Sequence, residues 1–206
     1  MHHKTVFLDR DGVINKDIGY LSDSKYFEFV DGIIDVCKYL LENNFSLIVI
    51  TNQSGIARGF YKEQKFLELN EWMLKELYKR DIEILDVFYC PHGPEDNCLC
   101  RKPRPGMFIN ALNKYDINTK ESWMVGDKED DIIAANNASA VGVAIALDRM
   151  EKGQGERSAI QEVESDYDLQ VMHIANLELL IQFIQQTGQH SEYLDAMQAY
   201  REQYGI

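Results

Sequence analysis

"VFLDRDGVIN", residues 6–15, takes a short apolar run straight into two aspartates one residue apart and then a glycine. The apolar part has the length and composition of a buried strand. Aspartate is disfavoured in strands, so Asp9 and Asp11 mark where this one ends, and Gly12 permits the sharp turn that follows. Two other runs finish in the same way. "FSLIVITNQSG", residues 45–55, closes on Thr51, Asn52 and Gln53, and "SWMVGDKEDD", residues 122–131, closes on Asp127. With two further β-branched or aromatic runs, this reading puts strands near 5–8, 46–51, 85–90, 122–126 and 141–147.

Amphipathic segments lie between them. "DGIIDVCKYLLEN", residues 31–43, predicts a helix capped by Asp31, with Ile33, Val36, Cys37, Leu40 and Leu41 at helical spacing. Glu63 to Arg80 repeats the pattern with Phe66, Leu69, Met73 and Leu77. Pro105 stands where the first turn of a third helix begins, and a fourth runs from about Glu129 to Asn137. Strands alternating with helices predict an α/β fold, a Rossmann-like doubly wound parallel sheet with helices on both faces. Ligands of such sheets bind beyond the carboxyl ends of the strands, where Asp9, Asp11, Thr51 and Asp127 fall. The first helix and second strand occupy most of the interval between Asp9 and Thr51, which leaves no room for a folded cap. Segments 16–26 and 90–104 are expected to close the site instead.

Three carboxylates at one rim repel one another unless a hard cation sits among them. Oxygen ligands suit magnesium, which leaves positions for water and a substrate phosphate. On such a site one carboxylate can attack phosphorus while a neighbouring acid protonates the leaving oxygen. A threonine hydroxyl and a lysine ammonium would hold the phosphoryl oxygens, and Thr51 and Lys102 are the candidates. A second metal is expected in "CPHGPEDNCLC", residues 90–100: Cys90, His92, Cys98 and Cys100 supply four ligands, the set of a closed structural zinc site. The cluster stands immediately before Arg101 and Lys102, so a clamped loop would hold those cations against the acidic rim.

The 206 residues carry a formal net charge of -13, which argues against nucleic acid as the main partner. The N-terminus lacks the apolar core of a secretory signal and no run is long enough to span a bilayer, so the expectation is a cytoplasmic protein with no membrane partner. His2 and His3 read as a flexible terminus. "MEKGQGERSA", residues 150–159, reads as a mobile loop, and "SDYDLQVMHIANLELLIQFI", residues 165–184, as a last strand and helix. "SEYLDAMQAYREQYG", residues 191–205, predicts a helix capped by Ser191 with Leu194, Met197, Tyr200 and Tyr204 along one side. The expected organisation is one domain over 1–186 and a helical extension over 187–206. The extension packs on its own domain in a monomer, or forms a dimer contact.

"DRDGVIN", "TNQSG", "CRKPRPG" and "GDKEDD" resemble the four ordered motifs of haloacid-dehalogenase superfamily phosphatases. Within that superfamily the first 147 residues are similar to the family of D-glycero-D-manno-heptose 1,7-bisphosphate 7-phosphatases. The resemblance implies a capless enzyme with a zinc loop, acting on a small phosphorylated sugar in nucleotide-heptose biosynthesis for surface glycans. It implies Asp9 as nucleophile and Asp11 as general acid and base. Magnesium would be held by Asp9, Asp127 and the main-chain carbonyl of Asp11, with Asp131 orienting that shell. Thr51 and Lys102 would stabilise the phosphoryl group and Arg101 would recognise substrate. Asp17, Ile18, Gly19 and Tyr20, then Asn52, Gln53 and Ser54, and Lys128 match substrate-contacting positions. Arg58 either reaches the substrate or is an exposed loop residue. The gap between His92 and Cys98 is short for the heptose family and is also seen in histidinol-phosphate phosphatases. That activity or one on another small phosphorylated metabolite, and a non-catalytic binding protein keeping the fold, stay open at this point.

Overall fold

The computed structural model describes residues 3–138, 142–148, 152, 155, 157–167, 170–188 and 191–205. The chain forms two compact units, Met1–Val141 and Gly142–Ile206.

In the first unit, strands β1 (Lys4–Leu8), β2 (Phe45–Asn52), β3 (Asp86–Cys90) and β4 (Trp123–Gly126) make a parallel sheet in the order β3-β2-β1-β4. β1 lies between β2 and β4, with Val6 level with Leu47 and Trp123. Residues alternate between faces along a strand, and the two faces of β1 meet different helices. Val6 and Leu8 join one apolar cluster with Leu47, Val49, Ile33 and Cys37 of α1 (Ile33–Glu42), and Leu69, Met73 and Leu77 of α2 (Glu63–Tyr78). Phe7, between them, faces the other way and stacks at 4.9 Å on Phe108 of α3 (Gly106–Lys114). α4 (Glu129–Asn137) follows β4 directly. Helices on both faces leave the carboxyl edge of the sheet as the free rim, as expected of a doubly wound fold.

Two local expectations are corrected. The cap of α1 is Gly32 in the left-handed conformation at φ 81°, with no side-chain capping bond, so Asp31 does not cap it. His3 is no loose end: its N–H donates to the Asp116 carbonyl at 2.7 Å, and the His3 carbonyl accepts from Asn118 N–H at 2.9 Å. His2 lies outside the described residues.

In the second unit β5 (Gly142–Asp148) pairs in parallel with β6 (Gln170–Asn176), Gly142 level with Gln170. α5 (Ala159–Tyr167), which the sequence pattern did not announce, stands between them in the chain. α6 (Leu177–Thr187) is capped by the Asn176 side chain, which accepts from Leu179 N–H at 2.8 Å, and ends at Gly188 in the left-handed conformation. Ser191 opens a 3₁₀ turn and does not cap the last helix, α7 (Leu194–Tyr204), which packs on α6 with Arg201 Nη2 3.9 Å from Glu178 Oε1. Part of the loop expected over 150–159 lies outside the described residues. Among those described, no helix is long and apolar enough to cross a membrane.

The packing of α2 makes a contrast between neighbours. Phe66 is fully buried, its ring 4.5 Å from that of Tyr89 and beneath the Arg10 guanidinium, whereas Leu67 is exposed. Phe66→Ala is expected to lower unfolding free energy by about 3–5 kcal/mol in urea denaturation, and Leu67→Ala by less than about 0.5 kcal/mol. Similar losses at both positions would refute this placement of the helix.

Candidate active site

Asp9 is the first residue past β1, and its N–H donates to the Val125 carbonyl of β4 at 2.9 Å. Its carboxylate is buried, accepts from Arg10 N–H at 2.7 Å, and lies 3.1 Å from the Lys102 ammonium. Lys102 comes from the loop after β3 and is itself 2 % exposed. It donates to the Ile50 carbonyl at 2.9 Å and reaches Asp131, on the first turn of α4, at 2.5 Å. The Lys102 main chain is gripped by Asn52, whose amide accepts from Lys102 N–H at 3.0 Å and donates to its carbonyl at 3.1 Å. Asn52 therefore lines the cavity, but its amide is engaged with the chain rather than turned to a ligand.

Burial pushes the pKa of Asp9 up to about 6, with Lys102 pulling the other way. Burial lowers the pKa of Lys102, but Asp9 and Asp131 outweigh it and hold the ammonium above its ordinary value. Asp127 is also raised, by burial, against the pull of Lys128. One carboxylate oxygen from each of Asp9, Asp127 and Asp131 lies within 4.8 Å of the other two. Three carboxylates against the ammonium groups of Lys102 and Lys128 leave surplus negative charge, and an oxygen-only donor set of this kind fits a hard cation such as magnesium.

The Asp11 carboxylate stands apart from this cluster, which leaves the role expected of its main-chain carbonyl untouched. Asp11 lines the cavity, but its side chain is turned to the buried guanidinium of Arg10, which meets its two oxygens at 2.8 and 2.9 Å. Asn15 Nδ2 and Gln53 Nε2 complete its shell at 3.0 and 2.9 Å. The third side chain of the triad is Asp131, the residue expected to orient the metal shell. Gly12, directly after Asp11, turns the chain at φ 92°, and a Cβ there would meet the Asp127 carboxylate at 2.4 Å.

A cavity of about 330 Å³ opens above these groups, lined by Asp9, Asp11 and Thr51 at its base and Arg101, Lys102 and Lys128 among its cations. The two segments expected to close the site both reach it. Asp17, Gly19 and Tyr20 line one side, and Lys128 Nζ bridges to Asp17 at 3.3 Å. Ser54 and Gln53 also line it. Ile18 is exposed and off the lining, and Arg58 is exposed beside Tyr20, whose ring its guanidinium carbon approaches at 5.9 Å. Arg101 presents a buried Nη1 with no hydrogen-bond partner, the state of a donor awaiting an anion. Arg10 and Tyr61 belong to the site and were missed in the sequence, where neither has a distinguishing signal.

The second cluster forms as expected. Cys90 ends β3, and its Sγ lies 3.5 Å from Cys98 Sγ, 3.2 Å from Cys100 Sγ and 3.5 Å from His92 Nδ1, which is 3.3 Å from Cys100 Sγ. Four soft ligands at these spacings could hold a tetrahedral zinc. Gln53 N–H, donating to the Cys90 carbonyl at 2.7 Å, ties this loop to the end of β2.

The chain matches the HAD-hydrolase-like family model over residues 99–169. It is 41 % identical over 172 residues to the D-glycero-beta-D-manno-heptose-1,7-bisphosphate 7-phosphatase of Yersinia pestis, covering 80 % of this chain and 92 % of that protein. The D-glycero-alpha-D-manno-heptose-1,7-bisphosphate 7-phosphatase of Campylobacter jejuni is 46 % identical over 156 residues, covering 76 % of this chain and 88 % of that one. Among solved structures, the D,D-heptose 1,7-bisphosphate phosphatase of B. bronchiseptica complexed with magnesium and phosphate superposes with a TM-score of 0.65 at 26 % identity, over 82 % of this chain and 91 % of that chain.

The acidic triad has a pH signature. A folded-state pKa of about 6 against an ordinary 3.8 means that Asp9 binds its proton more tightly in the fold, so the cation-free protein loses stability as pH rises between about 4 and 6. A divalent cation replaces that proton. Magnesium should therefore raise the melting temperature of the dialysed protein by roughly 2–4 °C at pH 7.5, by less at pH 5, and not at all in Asp127→Asn. A shift that is equal at both pH values, or survives in that variant, would contradict the site.

Proposed function

We propose, from the premise that the chain belongs to the heptose-1,7-bisphosphate 7-phosphatase family of haloacid-dehalogenase hydrolases, that it removes the 7-phosphate from D-glycero-D-manno-heptose 1,7-bisphosphate through an aspartyl phosphate. The chain is thus a phosphoric monoester hydrolase, and the substrate and route are the reading argued below. The observation that carries it is the convergence of the Asp9, Asp127 and Asp131 carboxylates and the Lys102 ammonium, of which Asp9, Lys102 and Asp131 line the cavity.

Asp9 is the nucleophile in this reading: a carboxylate oxygen bonds to phosphorus as the bond to the sugar oxygen breaks. Asp11 delivers the proton that the leaving oxygen requires, then takes one from the water that hydrolyses the aspartyl phosphate, restoring both carboxyl groups. Thr51 Oγ1 and the Lys102 ammonium bind the equatorial phosphoryl oxygens, where charge accumulates. Magnesium, held by Asp9 and Asp127 with Asp131 behind them, would neutralise the carboxylates and polarise the phosphoryl group. A similar solved phosphatase complexed with magnesium and phosphate supports the choice of this metal. Arg101, with an unpartnered Nη1 on the cavity wall, would take the phosphate that is not cleaved. Asp17, Gly19, Tyr20 and Ser54 would shape the sugar site, with Lys128 closing it against Asp17. Zinc at Cys90, His92, Cys98 and Cys100 would act structurally, fixing the loop that carries Arg101 and Lys102. A reaction on a nucleotide-sugar precursor fits the cytoplasm.

Phosphate release from the two anomers of the bisphosphate and from histidinol phosphate tests the reading. We expect kcat/KM on one anomer to exceed that on histidinol phosphate by at least about 100-fold, because Arg101 lacks its partner in a monophosphate. Asp9→Asn should lower kcat by at least about 1000-fold while the protein still binds magnesium-independent zinc at one per chain. Equal or better turnover of histidinol phosphate would overturn the substrate assignment, and an active Asp9→Asn would overturn the nucleophile.

A further inference from the structure

Tyr61 lines the cavity yet is absent from every role above. Its hydroxyl lies 2.7 Å from Gln53 Oε1, and Gln53 is 2 % exposed. The rest of the Gln53 amide is fully engaged. Arg10 Nη2 approaches Oε1 at 3.4 Å, while Nε2 donates to Asp11 Oδ2 at 2.9 Å and to Thr51 Oγ1 at 2.9 Å. A guanidinium only donates and a carboxylate only accepts, so one orientation of the amide satisfies both: oxygen toward Arg10, nitrogen toward Asp11. Tyr61 must then be the donor to Oε1, and burial, which pushes its pKa up to about 12, keeps the proton in place. Because Thr51 Oγ1 accepts from Gln53, its own hydroxyl proton is free to turn into the cavity.

The seat of Tyr61 is built for this contact. Its ring lies against Gly55, where a Cβ would come within 2.4 Å of Cε1 and 2.9 Å of the hydroxyl oxygen. Of the two groups that hold Oε1, Tyr61 has much the shorter bond, since the Arg10 contact at 3.4 Å is weak. Without the hydroxyl, the amide loses its main restraint against turning over. A turned amide would point Oε1 at the Asp11 carboxylate and its N–H groups at Arg10.

We propose that Tyr61 is a positioning residue that acts through Gln53 to set the side chains of Asp11 and Thr51 for phosphoryl transfer. The inference rests on the phosphatase reading above. It assigns Tyr61 a specific effect: the step served by Asp11, protonation of the leaving oxygen, suffers most when the hydroxyl is removed. A sugar alkoxide needs that proton, whereas p-nitrophenolate departs without it.

The test uses the full-length, magnesium-loaded protein and the variant Tyr61→Phe, which keeps the ring on Gly55. We expect kcat/KM to fall by roughly 10-fold on the heptose bisphosphate and by no more than about twofold on p-nitrophenyl phosphate, with a melting temperature within about 2 °C of wild type. Gln53→Leu cuts the same chain of hydrogen bonds one residue further in and gives a second reading of the leaving-group split should Tyr61→Phe fold poorly. The double variant should be no slower than Gln53→Leu alone. Equal falls on the two substrates, no fall on either, a rise in KM at unchanged kcat, or additive losses in the double variant would each overturn the proposal. A wild type that hydrolyses neither compound defeats the phosphatase reading itself, whereas normal wild-type turnover with an unaffected Tyr61→Phe defeats this inference alone.

Discussion

An ammonium group buried between two carboxylates governs this rim. Lys102 Nζ sits 3.1 Å from Asp9 and 2.5 Å from Asp131, with all three side chains withdrawn from water. Ions so placed forfeit several kcal/mol of hydration each, which their mutual attraction recovers only when the geometry is held fixed. The surroundings hold it. Asn52 grips the Lys102 main chain on both sides, the Ile50 carbonyl takes a third contact from the ammonium, and Asp131 accepts from Lys128 N–H at 3.2 Å. Lys102 between Asp9 and Asp131, with Lys128 3.9 Å from Asp127, sets two ammonium groups against three carboxylates, and the deficit is what gives the rim its appetite for a cation.

The sheet supplies the alignment. β1 is flanked by parallel neighbours in register, so its end, that of β2 and that of β4 come to one edge, and Asp9, Thr51 and Asp127 arrive there from positions far apart in the chain. β3 ends beside β2, with Cys90 level with Asn52, so the cysteine loop begins where Lys102 has to be delivered. The folding device and the chemical one share a boundary because the loop must be stiff at the point where its lysine is buried.

Much of this was legible in the sequence, for physical reasons. Runs such as Phe45–Asn52 are apolar because parallel strands are covered on both faces, and they stop where the chain meets the rim, so strand ends and candidate ligands were read together. The four-ligand spacing of the cysteine loop is a local property and survived intact. What could not be read depends on pairings over distance. Whether Asp11 or Asp131 joins Asp9 and Asp127 is decided by the Arg10 guanidinium, which is buried and claims Asp11. Asn52 faces Lys102 across fifty positions of sequence. The Tyr61 hydroxyl matters only because Gln53 is folded against it. At the first helix the signal was local but ambiguous, since Asp31 and Gly32 both suit a cap and backbone conformation chose the glycine.

Anomalous diffraction from crystals grown with manganese in place of magnesium tests the central claim most directly. The account predicts one manganese peak bonded to carboxylate oxygens of Asp9 and Asp127 within about 2.3 Å, with Lys102 still against Asp9, and a separate zinc peak among Cys90, His92, Cys98 and Cys100. A manganese peak away from Asp9, or none at saturating manganese, would contradict it.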